Sequence, residues 1–336
     1  MTHPLLGTTV DVHAHISVPE AEILASSRPE FAEELAQIMG MSRAGGSDYT
    51  RQAFVGWNKA LTDVEERLRR MAESGVDRQV LSVNPAQYYY WADQGLAAEL
   101  VSLVNGHISD TVVAQPEQFV GLASVSLQFP NLAAAQLEQA MARPGIRGAE
   151  ISASAGSLEL SDPSLEPFWS VAEQTGAVLF IHPLGCWELA DRLSPSYLGN
   201  IVGQPLATTI GLSHLMFGGV LDRHPSLRLL LAHGGGFLPF YIGRGDHAWE
   251  TRPDSRSMAR RPSDYLRMLW VDTVVFRVDA LQHLASVVGA DRVMLGSDYP
   301  FDMGPTRPLE LILSEGLDDD LRVAMAGRNA LSLFRF

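Results

Sequence analysis

A period constrains this chain more than any single residue does. Eight short apolar runs, each followed by turn residues and then a longer stretch of helical spacing, fall at residues 8–15, 78–83, 119–125, 146–152, 177–182, 227–233, 268–273 and 293–298. Strand-length runs alternating with amphipathic helices read as repeated βα units. Eight units predict an α/β fold of the (β/α)8 TIM barrel type. The alternative is an open doubly wound sheet. No glycine-rich phosphate loop follows the first run, where that fold is expected to carry one, so the barrel is favoured.

The helical stretches have readable limits. Residues 63–75 set Val64, Leu68 and Met71 on one face and stop at Gly75, while residues 131–143 begin with Asn131 as a cap and align Ala133, Leu137 and Met141. Two connections are long, an insertion of about 17–63 after the first run and a loop of about 183–205 after the fifth. Long connections after barrel strands are expected on the catalytic rim. Nothing else repeats and no segment is of low complexity, so residues 1–336 read as a single domain.

Composition closes off several function classes. A formal charge of -14 leaves no basic stripe for nucleic acid, and every apolar run is far too short to span a membrane. The first ten residues lack the features of a signal peptide, and the lone Cys186 cannot form an internal disulfide, so the expected location is cytoplasmic. Lys59 is the one lysine, and any lysine chemistry must use it.

Chemistry collects where the runs end. His13 and His15 close the first, His182 the fifth, His233 the sixth and Asp298 the eighth. In a barrel these ends converge on one face. Alternation along a strand points His13 and His15 the same way, ready to clasp one ion. Imidazoles with a carboxylate and no thiolate cluster suit a borderline divalent metal, with room left for a water whose pKa the metal lowers. Any one of these residues alone is more often a satisfied strand-end group. Five together at barrel strand ends are not readily a coincidence.

The pattern H-x-H on the first strand, His on the fifth and sixth and Asp on the eighth resembles the amidohydrolase superfamily. "FIHP", "FGGVLDRHPSLRLLLAHGGGFLPFYIGR" and "LGSDYPF" resemble, more narrowly, the branch of 2-amino-3-carboxymuconate-6-semialdehyde decarboxylase and related nonoxidative decarboxylases, from about Val10 to Phe334. The resemblance implies His13, His15, His182 and Asp298 as ligands of one divalent ion per chain, zinc with manganese as the alternative. It implies His233 as the acid/base that holds and deprotonates a metal-bound water, with Asp298 or that water delivering the proton. It makes Arg244 the grip on a substrate carboxylate, in some members across the interface of a homodimer. Pairing of Arg244 with Asp246 or Glu250 on its own surface is the plainer reading.

This chain departs from that pattern in places. Relatives carry a second carboxylate-binding arginine near the position of Asn58, for which Arg51 or Lys59 would have to substitute, and Asn200 stands where relatives carry a tryptophan. With no lysine on the fourth run, a lysine-bridged pair of metals is excluded unless Lys59 folds into the barrel; Glu150 on that run reads as a rim or core polar group. Tyr88, Tyr89, Tyr90 and Trp91 form an aromatic cluster after the second run, with Trp57 and Trp187 in the long connections. Trp91 is a candidate to flank a substrate ring, and helix packing is the competing role for such residues. The expected activity is decarboxylation of a hydroxyaromatic or muconate semialdehyde-type acid in aromatic catabolism. Hydrolysis or hydration of an ester, amide, lactone or carbon-carbon bond by the same metal water is the alternative.

Overall fold

The computed structural model describes residues 4–40 and 47–336. Eight parallel strands follow one another around a sheet in the order β1 (Val10–Ile16), β2 (Arg78–Val83), β3 (Phe119–Ala123), β4 (Ile146–Ile151), β7 (Val178–Ile181), β8 (Arg228–Leu231), β9 (Leu269–Asp272) and β10 (Val293–Met294). A short antiparallel ribbon, β5 (Ser154–Ala155) with β6 (Leu158–Glu159), stands apart from them. The expected barrel is therefore present, with each run found as a strand. The eighth is the exception in length: beyond Met294 it leaves the ladder, and the sheet closes onto β1 through Val12 N–H to Leu295 O (2.9 Å) and His15 N–H to Tyr299 O (2.8 Å).

Helices between the strands cover the outer face. In α4 (Val64–Ser74), Asp63 accepts the Glu66 amide at 3.0 Å and Gly75 ends the helix in the left-handed conformation at φ 75°, as its sequence predicts. The expected cap of the 131–143 stretch is corrected. The helix Pro130–Met141 starts one residue before Asn131, because Pro130 fixes a helical φ at its first position, and no side chain caps it. The first insertion forms α1 (Pro19–Ala25), α2 (Pro29–Gly40) and α3 (Ser47–Thr62). Lys59 on α3 faces outward and pairs with Glu66 at 3.8 Å, so it does not enter the barrel. The Arg51 side chain, proposed as a substitute carboxylate anchor, lies outside the described residues.

Two apolar layers result. A large cluster, including Leu81, Val83, Ile151, Leu179 and Leu231, joins the outer face of the sheet to the helices. A second, of Val10, Val12, Val80, Val120, Leu122, Val178, Phe180, Leu230 and Met294, fills the barrel and is closed below by Leu333 and Phe334. Strict alternation from Val10 and Val12 would next turn Ala14 and Ile16 inward. The register of β1 against β2 instead shifts between Asp11 and Ala14, and the change of phase aims His13 and His15 into the barrel above the apolar plug.

Candidate metal centre

His13, His15, His182 and Asp298 meet at the carboxyl-terminal mouth, all four buried, with one donor atom from each within 4.8 Å of the others. The His13 Nδ1–H donates to Asp272 Oδ2 at 2.7 Å and the His15 Nδ1–H to the Val83 carbonyl at 3.2 Å. Those bonds fix both tautomers and leave the two Nε2 lone pairs facing each other 3.1 Å apart. Asp298 Oδ1 approaches the same point, 3.2 Å from His13 Nε2 and 3.4 Å from His15 Nε2. Among the described residues neither ring nitrogen of His182 has a hydrogen-bond partner, although the side chain is buried. Lone pairs crowded on one point repel unless a cation lies among them. The donor set fits a divalent metal ion.

Electrostatics mark the same point as one that attracts positive charge, a proton on His13 in the absence of a metal ion. Burial opposes a charge on His13, but Asp298 and Asp272 outweigh it and push its pKa up to about 10. Burial, followed by the imidazoles of His15, His13 and His233, holds His182 well below its usual value. Burial works against ionisation of Asp298, and the surrounding histidines still hold it well below the carboxylate range. Each buried charge here depends on the opposite charge beside it.

His233 lies at the edge of this cluster. Its Nε2 is 3.7 Å from Asp298 Oδ2, its side chain is 16% exposed at the mouth, and its Nδ1 is unpartnered. Both His233 (φ 55°) and Asp298 (φ 54°) adopt left-handed backbone, a strain that the surrounding fold must hold. After His233 come three glycines with positive φ; a Cβ on Gly234 would meet Val275 at 2.4 Å, and one on Gly236 the Pro205 carbonyl at 2.3 Å. The "AHGGG" segment is therefore required by close approach of the backbone to its neighbours.

Two important residues were not singled out in the sequence. Asp272, which ends β9, accepts the His13 Nδ1–H, the His233 and Gly234 amides at 2.9 Å and the Val274 amide at 3.0 Å. Its place at the end of the seventh run was the available signal. Phe301, three residues after Asp298, lies 5.5 Å from the His15 ring and 5.4 Å from Trp57 of α3, so the insertion reaches the mouth through this aromatic pair.

The aromatic cluster divides by side. Tyr88 and Tyr90 stack at 5.4 Å and face β4, where the Tyr88 hydroxyl donates to Glu150 and the Tyr90 hydroxyl accepts the Ser152 amide. Trp91 packs against Tyr89 and donates its Nε1–H to Glu34 of α2 at 2.8 Å, which places its contacts with the insertion. Asn200 is partly buried in a π-helical turn, Gly199–Gly203. Arg244, on the helix Leu238–Thr251, is exposed, and the pairing weighed for it is not formed: Asp246 accepts the Ser263 amide and Glu250 pairs with Arg261. Among the described residues no helix is long and apolar enough to cross a membrane.

Known proteins of this architecture carry the comparison further. The profile described as Amidohydrolase matches residues 10–336. Among curated proteins, 2-amino-3-carboxymuconate-6-semialdehyde decarboxylase of Dictyostelium discoideum is 35% identical over 274 residues, spanning 80% of this chain and 76% of its own. Gamma-resorcylate decarboxylase of Rhodococcus jostii is 26% identical over 292 residues, spanning 82% of this chain and 88% of its own. The crystal structure of 5-carboxyvanillate decarboxylase from Sphingomonas paucimobilis superposes with a TM-score of 0.84 at 25% identity, covering 98% of this chain and 99% of that one. Barrel, strand-end donors and these relatives agree, and the chain belongs to the amidohydrolase family.

Proposed function

We propose that this protein is a metal-dependent nonoxidative decarboxylase of a hydroxyaromatic or conjugated carboxylic acid, with one catalytic domain. The observation that carries the proposal is the cluster of His13, His15, His182 and Asp298, whose lone pairs converge on one point in a chain 35% identical to a decarboxylase. The relatives compared above act by decarboxylation, which favours that reaction over hydrolysis. We assign metal ligation to those four residues and take the ion as zinc from its nitrogen-rich donors, with manganese as the alternative.

A divalent ion held by His13, His15, His182 and Asp298 would supply positive charge that favours the electron pair left when CO2 departs. The protein's part is positioning and proton delivery. His233 and Asp298, 3.7 Å apart at the mouth, form the pair we assign to proton delivery: His233 supplies the proton and Asp298, itself held ionised, passes it to the carbon that loses CO2 as the carbon-carbon bond breaks. Phe301 and Trp57 offer flat apolar faces to a ring. Arg244, whose guanidinium has no ion pair among the described residues, offers a planar grip for a carboxylate, Asn200 supplies an amide at the rim, and Trp91, its N–H spent on Glu34, offers only its ring.

We further propose a homodimer. The helix bearing Arg244 also exposes Phe240 and Tyr241, beside Phe237, and this apolar strip next to an exposed arginine suits the face of a second copy. The buried single thiol of Cys186 fits a reducing, cytoplasmic setting.

Purified protein should contain about one divalent ion per chain by elemental analysis. It should release CO2 from at least one member of a panel of hydroxybenzoates, hydroxylated heteroaromatic acids and muconate semialdehydes. Ester or lactone hydrolysis with no CO2 from any acid would overturn the assignment. Light scattering coupled to size exclusion tests the dimer.

A further inference from the structure

Glu150 has no part in that reaction, yet it is fully buried where β4 reaches the metal centre. Its Oε1 accepts the Tyr88 hydroxyl, and its Oε2, with no hydrogen-bond partner, lies 3.7 Å from His15 Nδ1. The Tyr88 hydroxyl is also 3.3 Å from the carbonyl of His182, so one tyrosine ties the ends of β4 and β7 together. Tyr90 stacks on Tyr88 and takes the Ser152 amide, holding that side of the mouth to the strand that carries Glu150. Burial pushes the Glu150 carboxyl up from its usual range, and His15, then the Ser82 and Tyr88 hydroxyls, work against that, so its charge depends on positive charge at the centre beside it. Among the described residues no lysine or arginine pairs with Glu150.

The arrangement parallels the one behind the neighbouring ligand. Asp272 stands at Nδ1 of His13, on the ring side away from the converging donors; Glu150 stands on the same side of His15. We infer that Glu150 is a positioning residue of the metal centre, its carboxylate held by Tyr88 as the countercharge behind His15. It matches Asp272 behind His13. Because the His15 Nδ1–H already points at the Val83 carbonyl, Glu150 acts through charge across 3.7 Å and by bracing the strand ends, not as a ligand. A carboxylate behind a ligating imidazole makes that imidazole the stronger donor.

This inference rests on the metal-site reading, and the test separates the two. Wild type, Glu150→Gln and Tyr88→Phe would be stripped of metal, and zinc affinity measured by competition with a chromophoric chelator. Cobalt(II) would be substituted for its visible spectrum. Glu150→Gln keeps the size and an acceptor for Tyr88 while removing the charge. It should weaken zinc binding about 10- to 100-fold and shift the cobalt bands, with circular dichroism and melting unchanged. Tyr88→Phe, which frees the carboxylate from its tether, should shift the bands in the same direction by less. If Glu150→Gln does not fold, the Tyr88→Phe spectrum decides the question alone. Zinc affinity and cobalt bands equal to wild type in the folded variants overturn the role of Glu150; failure of wild type to bind zinc or cobalt overturns the metal site itself.

Discussion

Replacing Asp272 by asparagine asks how much of the centre depends on one carboxylate. Its Oδ2 accepts from His13 Nδ1 and from the His233 amide, and its Oδ1 from the Gly234 and Val274 amides. Asparagine keeps the shape but turns one oxygen into an NH2 group. Whichever way the amide sits, two of these donors meet a donor. At about 1–3 kcal/mol for each buried donor left unpaired, Asp272→Asn should cost roughly 2–6 kcal/mol of stability, or about half that where His13 shifts tautomer and accepts from the new amide. The flip that points NH2 at His13 has a second effect. It favours the tautomer protonated at Nε2, the nitrogen aimed at the metal position, and a loss of about 10- to 100-fold in metal affinity follows. Urea unfolding of the metal-free proteins measures the first quantity, and chelator competition the second. A variant that unfolds within about 1 kcal/mol of wild type and binds zinc equally well would refute the reasoning, because it would mean that these four donors do not depend on the carboxylate.

His233→Ala should keep its metal while turnover falls by about 10²-fold or more, and an empty site by elemental analysis would make His233 a ligand instead. Arg244→Ala should lower kcat/KM by about 10- to 100-fold, mainly through KM, by loss of a charge-assisted bond to the substrate carboxylate. Activity regained on mixing it with His233→Ala marks a site shared across a dimer, and no recovery marks a self-contained pocket. Burial raises the Glu34 carboxyl from 4.5 to about 7, with the Trp91 bond opposing it. Between those values the folded chain binds a proton that the unfolded chain has lost, so Glu34 makes stability fall as pH rises through that window. Glu34→Gln should flatten that part of the stability profile, and an unchanged slope would rule out the buried acid as its source.

The period of apolar runs and the residues at their ends are local properties, and they made the barrel and its ligand candidates legible. A strand must be apolar where it is buried on both faces, and a barrel must gather its strand ends, so His13, His15, His182 and Asp298 could be placed together without coordinates. Spacing alone also reads the H-x-H pair as pointing one way. It does not say which way: the shift in β1 between Asp11 and Ala14 turns both histidines inward, and that depends on pairing with β2 and on closure through Leu295 and Tyr299. Asp272 and Glu150 were visible as acids at the ends of runs, but their partners lie 259 and 62 positions away, with Glu150 and Tyr88 forming the nearer pair. The run from Tyr88 to Trp91 looked like one aromatic cluster. Only the folded chain sends Tyr88 and Tyr90 to β4 and Trp91 to Glu34, because neighbouring side chains on a turn face different surroundings and those surroundings come from distant segments.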